Sequence, residues 1–136
     1  MNLNQVTLTV MNMGESTEFY RRLGFLQIVD TPHYARFACP DKGATFSLSL
    51  AETNTQTNTH NKLSNGTTIY FEHEELDAWV AEVQQRGIQF EQLPTDQSYL
   101  WREASLVDPS GNNIKLYWAG ENRLNPPWRI EKKYQA

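Results

Sequence analysis

Lys115 is a side chain whose type could do several kinds of chemistry. Its ammonium can bind a carboxylate or phosphate of a ligand, or act as a base or amine nucleophile where burial lowers its pKa. It can equally keep its charge in water or pair with Glu72 or Glu103. Tyr70, Tyr99, Trp101 and Tyr117 offer ring area for a planar ligand, or ordinary packing at a rim or a dimer contact. The histidines stand apart: His33 follows Pro32 in a hairpin connection, His60 lies in a polar stretch, and His73 sits near a strand end. No two of them share a metal-ligand spacing. Cys39, beside Pro40, has no base next to it, and a single cysteine makes neither an internal disulfide nor a zinc site by itself. Glu72, Glu74, Glu75 and Asp77 cluster where a helix begins, which the helix dipole explains; the same cluster would also attract a cationic ligand. Arg21 and Arg22 read as a solvated helix face.

The elements that must position these groups are legible from periodicity. Residues 5–10 alternate, with Val6, Leu8 and Val10 on one face of a strand. Ser16, Phe19, Tyr20 and Leu23 recur at helical spacing, and Gly24 closes that helix. Strands are expected at 25–29, 34–38 and 44–50, with a turn at 40–43. Residues 52–65 are rich in Asn and Thr and read as a solvated linker. The pattern then restarts: a strand at 67–71, a helix carrying Leu76, Trp79, Val80 and Val83 and closed by Gly87, and strands at 88–92 and 100–107. After the Asp108-Pro109-Ser110-Gly111 turn, a final strand carries Ile114, Leu116 and Trp118. Laying Gly24-Phe25 on Gly87-Ile88 also lays Gln5 on Thr68 and Leu8 on Phe71, so the order βαβββ occurs twice. The expected architecture is α+β, two tandem βαβββ modules forming a curved mixed sheet around a groove, with helices on its outer face. The modules span about 3–52 and 66–118 with the linker at 53–65, all within one domain of residues 1–120, and 121–136 is a C-terminal tail.

Composition excludes several classes of function. With 136 residues, 39% hydrophobic and 21% charged, the chain can bury a core without staples. A net charge of −4 gives no electrostatic footprint for nucleic acid. No apolar run is long enough to cross a bilayer, and MNLNQVTLTV lacks the regions of a signal peptide. A cytoplasmic protein is expected.

The segments QVTLTV…STEFYRRLGF, IYFEHEELDAWVAEVQQRGIQF and VDPSGNNIKLYW resemble the vicinal oxygen chelate superfamily, which includes glyoxalase I, the extradiol dioxygenases and the fosfomycin and bleomycin resistance proteins. The resemblance covers about residues 3–118. It implies that metal-dependent members take two ligands from each module, drawn from His, Gln and Glu. Their positions correspond here to Gln5, Ser47, Thr68 and Lys115. Only Gln5 is a residue type the family uses. Lys115 puts an ammonium where a carboxylate is expected, and an ammonium repels a cation at contact distance. Glu52, at the end of a strand, would rescue a metal reading only through a shift of register.

Strand alternation puts Val6, Leu8, Phe46, Leu48, Ile69, Phe71, Ile114 and Leu116 under the helices. The opposite faces then carry Gln5, Thr7, Thr9, Ser47, Ser49, Thr68, Tyr70, Glu72, Lys115 and Tyr117. The expected function is binding of a small organic molecule in the groove without a metal or other cofactor, in a resistance or sequestration role. The ligand contacts would be Gln5, Ser47, Thr68, Tyr70, Trp101, Lys115 and Tyr117. Two alternatives stand beside it: a divalent-metal-dependent glyoxalase-like lyase or dioxygenase, and a dimeric interaction module without a ligand. A homodimer is expected from the resemblance. Arg123, Asn125 and Trp128 of the tail would close over the groove, anchor the tail to the body or seal the dimer.

Overall fold

A computed structural model describes residues 1–41, 43–52 and 66–133. The linker at 53–65, His60, Lys42 of the expected 40–43 turn and the last three residues lie outside the described residues. The first module runs β1 (Gln5–Val10), α1 (Met13–Leu23), β2 (Leu26–Asp30), β3 (Tyr34–Ala38) and β4 (Thr45–Leu50). The second runs β5 (Thr68–Glu72), α2 (Leu76–Gln85), β6 (Gln92–Asp96), β7 (Arg102–Val107) and β8 (Asn113–Trp118). Each module forms a four-stranded mixed sheet, ordered β1-β4-β3-β2 and β5-β8-β7-β6. In both, the first strand pairs parallel with the last and the other pairings are antiparallel. The α+β architecture of tandem βαβββ modules is therefore the observed one.

Local chemistry explains the helix limits. Asn12 caps α1, its Oδ1 accepting the Glu15 N–H at 2.9 Å. Gly24, at φ 110°, ends it with an N–H donated to the Arg21 carbonyl at 3.0 Å. Gly87 follows α2 at φ 93°, the same solution at the corresponding place in the repeat.

The second module departs from the expected strands in two places. The strand expected at 88–92 begins only at Gln92. Ile88 is buried and Phe90 packs on the core, so the alternation there reports burial rather than ladder pairing. The β6 ladder is itself interrupted between Gln92 and Thr95, where Pro94 has no N–H to donate. The strand expected at 100–107 begins at Arg102, because residues 97–101 form a tight turn. The N–H of Gln97 donates to the Trp101 carbonyl and that of Leu100 to the Gln97 carbonyl, with Leu100 at φ 71°. The tail adds a 3-10 turn (Gly120–Asn122) and a one-turn helix, α3 (Ile130–Lys133).

One core joins the modules. Leu8, Phe46 and Leu48 of the first sheet and Phe71, Ile114 and Leu116 of the second are buried, as alternation requires. Val6 and Ile69 are partly buried against them. Phe25 contacts Phe46 and Phe71 at centroid distances of 5.1 and 4.5 Å, and Phe46 meets Phe71 at 5.2 Å. Trp79 packs on this core, and its indole N–H donates to the Leu23 carbonyl at 3.0 Å.

Polar groups reinforce the seam around the 108–112 turn. Buried Asp108 accepts the Tyr20 hydroxyl at 2.8 Å, the N–H groups of Ser110 and Asn112 at 2.9 Å each, and the Asn112 side-chain amide at 2.9 Å. That amide also donates to the Thr9 carbonyl at 2.9 Å, and the Met11 N–H donates to Ser110 Oγ at 2.8 Å. The turn of the second module is thus bonded to the strand end and helix of the first.

Candidate functional site

Each sheet turns a polar face away from its apolar side. On the first sheet, Gln5, Thr45, Ser47, Tyr34 and Arg36 meet on that face because β1, β4 and β3 are neighbours and these positions share one parity. Thr45 donates its hydroxyl to Gln5 Oε1. The Gln5 amide donates to Ser47 Oγ at 2.9 Å and to the Val6 carbonyl at 3.1 Å. The Ser47 and Tyr34 oxygens lie 2.6 Å apart, and Arg36 Nε donates to the Tyr34 oxygen at 3.0 Å. Ser47 has no exposed surface. The Ser47 bond first, and then the Arg36 bond, hold the Tyr34 phenol below its usual range.

On the second sheet, Lys115 Nζ donates to Glu103 Oε1 at 2.8 Å, and the Tyr99 hydroxyl donates to the same oxygen. Glu103 is 1% exposed, and its Oε2 has no hydrogen-bond partner among the described residues. The Glu103 bond, chiefly, raises the Lys115 pKa, so this amine stays an ammonium and is a poor base or nucleophile. Rings surround the pair. Trp101 stacks on Tyr117 at 4.9 Å, Tyr70 stands edge-on to both, and Lys115 Nζ lies 5.9 Å from the Tyr70 centroid. A hollow of about 400 Å³ opens beside Trp101, bordered by Leu100, Arg102, Trp118 and Asn122. A larger one of about 490 Å³, between α1 and the 108–109 turn, contains none of these groups.

Of the expected contacts, Tyr70, Trp101, Lys115 and Tyr117 come together, and Gln5 and Ser47 come together. The bonds and ring contacts of one group do not reach the other. Thr68 lies on the same face of β5 as Tyr70, opposite Asn113. Tyr117 is buried, so it backs the ring cluster rather than lining open surface. Tyr34 and Arg36 were not among the expected contacts, although alternation with Ala35 and Phe37 already puts both on the polar face.

Several of the remaining candidates have structural partners. His73 Nδ1 accepts the Glu75 N–H at 2.9 Å, and its ring packs on Trp79. Asp77 pairs with Arg102 at 3.0 Å, which lowers its pKa. Arg22 pairs with Glu18, and Arg21 donates to Gln27. Burial raises the Cys39 pKa, away from a reactive thiolate. Trp128, expected to anchor the tail or reach a second chain, is 51% exposed.

The donor set does not fit a divalent ion. Gln5 already binds Thr45 and Ser47, Ser47 is enclosed, and Lys115 carries a positive charge. Among the described residues no group of three or more His, Cys, Asp or Glu could hold a metal.

The titrating groups also set an alkaline limit. The Tyr99 hydroxyl is pushed up to about 12, first by desolvation and then by Glu103. Tyr20 is raised well above its usual range by burial and by Asp108, and Lys115 is raised too. In the unfolded chain tyrosine and lysine release protons near pH 10. Stability contributed by these groups is complete below about pH 10 and is lost as pH rises through the folded values. The urea midpoint should therefore hold between pH 8 and about 9.5 and fall by pH 11; an unchanged midpoint at pH 11 would contradict the assignment.

The sequence model of the glyoxalase/bleomycin resistance protein/dioxygenase superfamily matches residues 2–116. No curated protein matches the chain. Among solved structures, a glyoxalase/bleomycin resistance protein/dioxygenase from Nocardioides is 24% identical with TM-score 0.68, covering 88% of this chain and 85% of its own. A bleomycin-binding protein complexed with bleomycin is 18% identical with TM-score 0.66, covering 86% and 98%. Lactoylglutathione lyase from Agrobacterium tumefaciens is 17% identical with TM-score 0.64, covering 85% and 92%. These likenesses share the fold and differ in function. No described helix is long and apolar enough to cross a membrane. With the paired βαβββ modules and a family match over most of its length, the chain belongs to the glyoxalase/bleomycin resistance protein/dioxygenase superfamily.

Proposed function

We propose that this chain binds a small organic molecule on the polar faces of its two sheets, without a divalent metal, in a sequestration or resistance role. The Lys115–Glu103 pair carries the reading. A fixed ammonium occupies a position where metal-dependent relatives are expected to place a ligand, and aromatic rings rather than further carboxylates surround it. Such a surface suits a planar ligand with hydrogen-bonding oxygens. The likeness to a bleomycin-binding protein is compatible with this role. Pairing of two chains would let the first-sheet face of one protomer meet the second-sheet face of its partner, closing a groove that one chain leaves open.

Metal analysis tests the reading. Protein purified without added metal, and again after soaking in Zn²⁺, Mn²⁺, Fe²⁺ and Ni²⁺, should carry less than about a tenth of an equivalent, with no shift in Tm. Organic ligands should raise Tm in the same assay. Near-stoichiometric metal would overturn the reading and put a metal-dependent lyase or dioxygenase in its place. Absence of any ligand response would leave the dimeric interaction module.

A further inference from the structure

The hydrogen bonds on the first sheet have a direction. The Val6 carbonyl and the Thr45 hydroxyl fix the Gln5 side chain, with its NH₂ group toward Ser47 and its oxygen toward Thr45. Ser47 Oγ therefore accepts from Gln5. The Ser47 hydrogen, fully enclosed, has the Tyr34 oxygen 2.6 Å away as its acceptor. The same oxygen accepts Arg36 Nε–H at 3.0 Å. Two donors thus point into the phenol oxygen, and the phenol's own hydrogen is left for something outside the network. Loss of negative charge on that oxygen is opposed by both donors, in line with the lowered pKa of Tyr34.

Arg36 adds a second observation. It is half-buried on β3, lies 5.4 Å from the Tyr34 centroid, and forms no ion pair among the described residues. On the polar face of the second sheet the cation, Lys115, is neutralised by Glu103. Among the described residues, the first face therefore carries a positive charge that is not in an ion pair.

We infer that Tyr34 and Arg36 form a binding site for an anionic oxygen, with the phenol O–H and the outer guanidinium N–H groups donating to a carboxylate, enolate or phenolate of the ligand. Gln5 and Ser47 then act as positioning residues that aim the phenol, rather than as ligand contacts. This inference deepens the proposed binding function and rests on it for the organic body of the ligand.

Acetate and 2-naphthamide separate the two ideas, one an anion without a ring and the other a ring without charge. The protein carries ¹³Cζ-labelled tyrosine and ¹⁵N-labelled arginine, and sodium chloride at matched ionic strength is the control. Acetate should shift the Tyr34 ¹³Cζ and Arg36 ¹⁵Nε resonances along one saturable curve that chloride does not reproduce. Tyr34→Phe should weaken the Arg36 response about tenfold, as expected for one hydrogen bond to a charged group. Arg36→Met should abolish the Tyr34 response, and Arg129→Gln, a charge-matched surface change, should leave it in place. If Tyr34→Phe does not fold, Ser47→Ala removes one donor behind the phenol and should weaken acetate in the same direction. No saturable shift at Tyr34, or one that survives Arg36→Met, overturns the anion site. Binding of 2-naphthamide alone would overturn it while leaving the organic-ligand function in place; acetate binding alone would do the reverse, and silence from both probes would overturn both.

Discussion

Replacing Asp108 with alanine should lower stability by about 4 kcal/mol, the scale of a buried charge-assisted network that loses its acceptor. Asp108 is 1% exposed and accepts from Tyr20, Ser110 and Asn112. Alanine would strand a buried phenol, two backbone N–H groups and one hydrogen of an amide whose other hydrogen is committed to Thr9. The effect reaches beyond the turn, because Tyr20 belongs to α1 of the other module and packs against Phe19, Phe37 and Phe46. Tyr20→Phe keeps the ring and removes one of these bonds, so it should cost about 1.5–3 kcal/mol. Urea unfolding followed by far-UV circular dichroism measures both. A loss below about 1.5 kcal/mol for Asp108→Ala would mean that water replaces the network at little cost.

The second large effect is expected at Lys115. Lys115→Met should destabilise the chain by about 3 kcal/mol, because it leaves a buried carboxylate without its counter-charge. Glu103 would retain only the Tyr99 hydroxyl. The Lys115 side chain is 28% exposed and that of Glu103 2%, so most of the cost falls on the buried partner. The double variant Lys115→Met, Glu103→Met should recover more than half of the loss, since the stranded charge is gone and methionine fills the space. A double-mutant cycle by urea unfolding reads this coupling directly. Additive losses would show that the pair contributes nothing as a pair.

Periodicity and punctuation made much of this fold legible. Residues 5–10 form the strand their alternation demands, and Ser16, Phe19, Tyr20 and Leu23 form the buried stripe of α1. Failure came where a burial pattern imitated a pairing pattern. Ile88 and Phe90 alternate as a strand would, yet the ladder starts at Gln92. Alternation states which way a side chain faces and does not state whether its backbone has a partner. The site shows the same limit. The parity of Lys115 and Glu103 could be read from their strands, but their contact depends on the β7–β8 register, which no local pattern encodes. Tyr34 depends on two registers together, since Ser47 reaches it from β4 and Gln5 backs Ser47 from β1. Gln5 and Ser47 can be placed on the polar face from the sequence, but their bond to each other depends on the β1–β4 register.

Pro94 gives the two sheets different outer margins. Both β2 and β6 are the last strands on their sides. Both ladders are irregular, β2 between Gln27 and Val29 and β6 between Gln92 and Thr95, but a strand from another molecule approaching β6 would also meet a residue with no N–H. The same strand approaching β2 would find Leu26 and Ile28, 65% and 49% exposed, on a margin free of proline. Of these two margins, β2 is the more open to intermolecular sheet growth. Fibril-like association under destabilising conditions would nucleate at residues 26–30, and a charged residue at Ile28 would protect the chain in storage at high concentration.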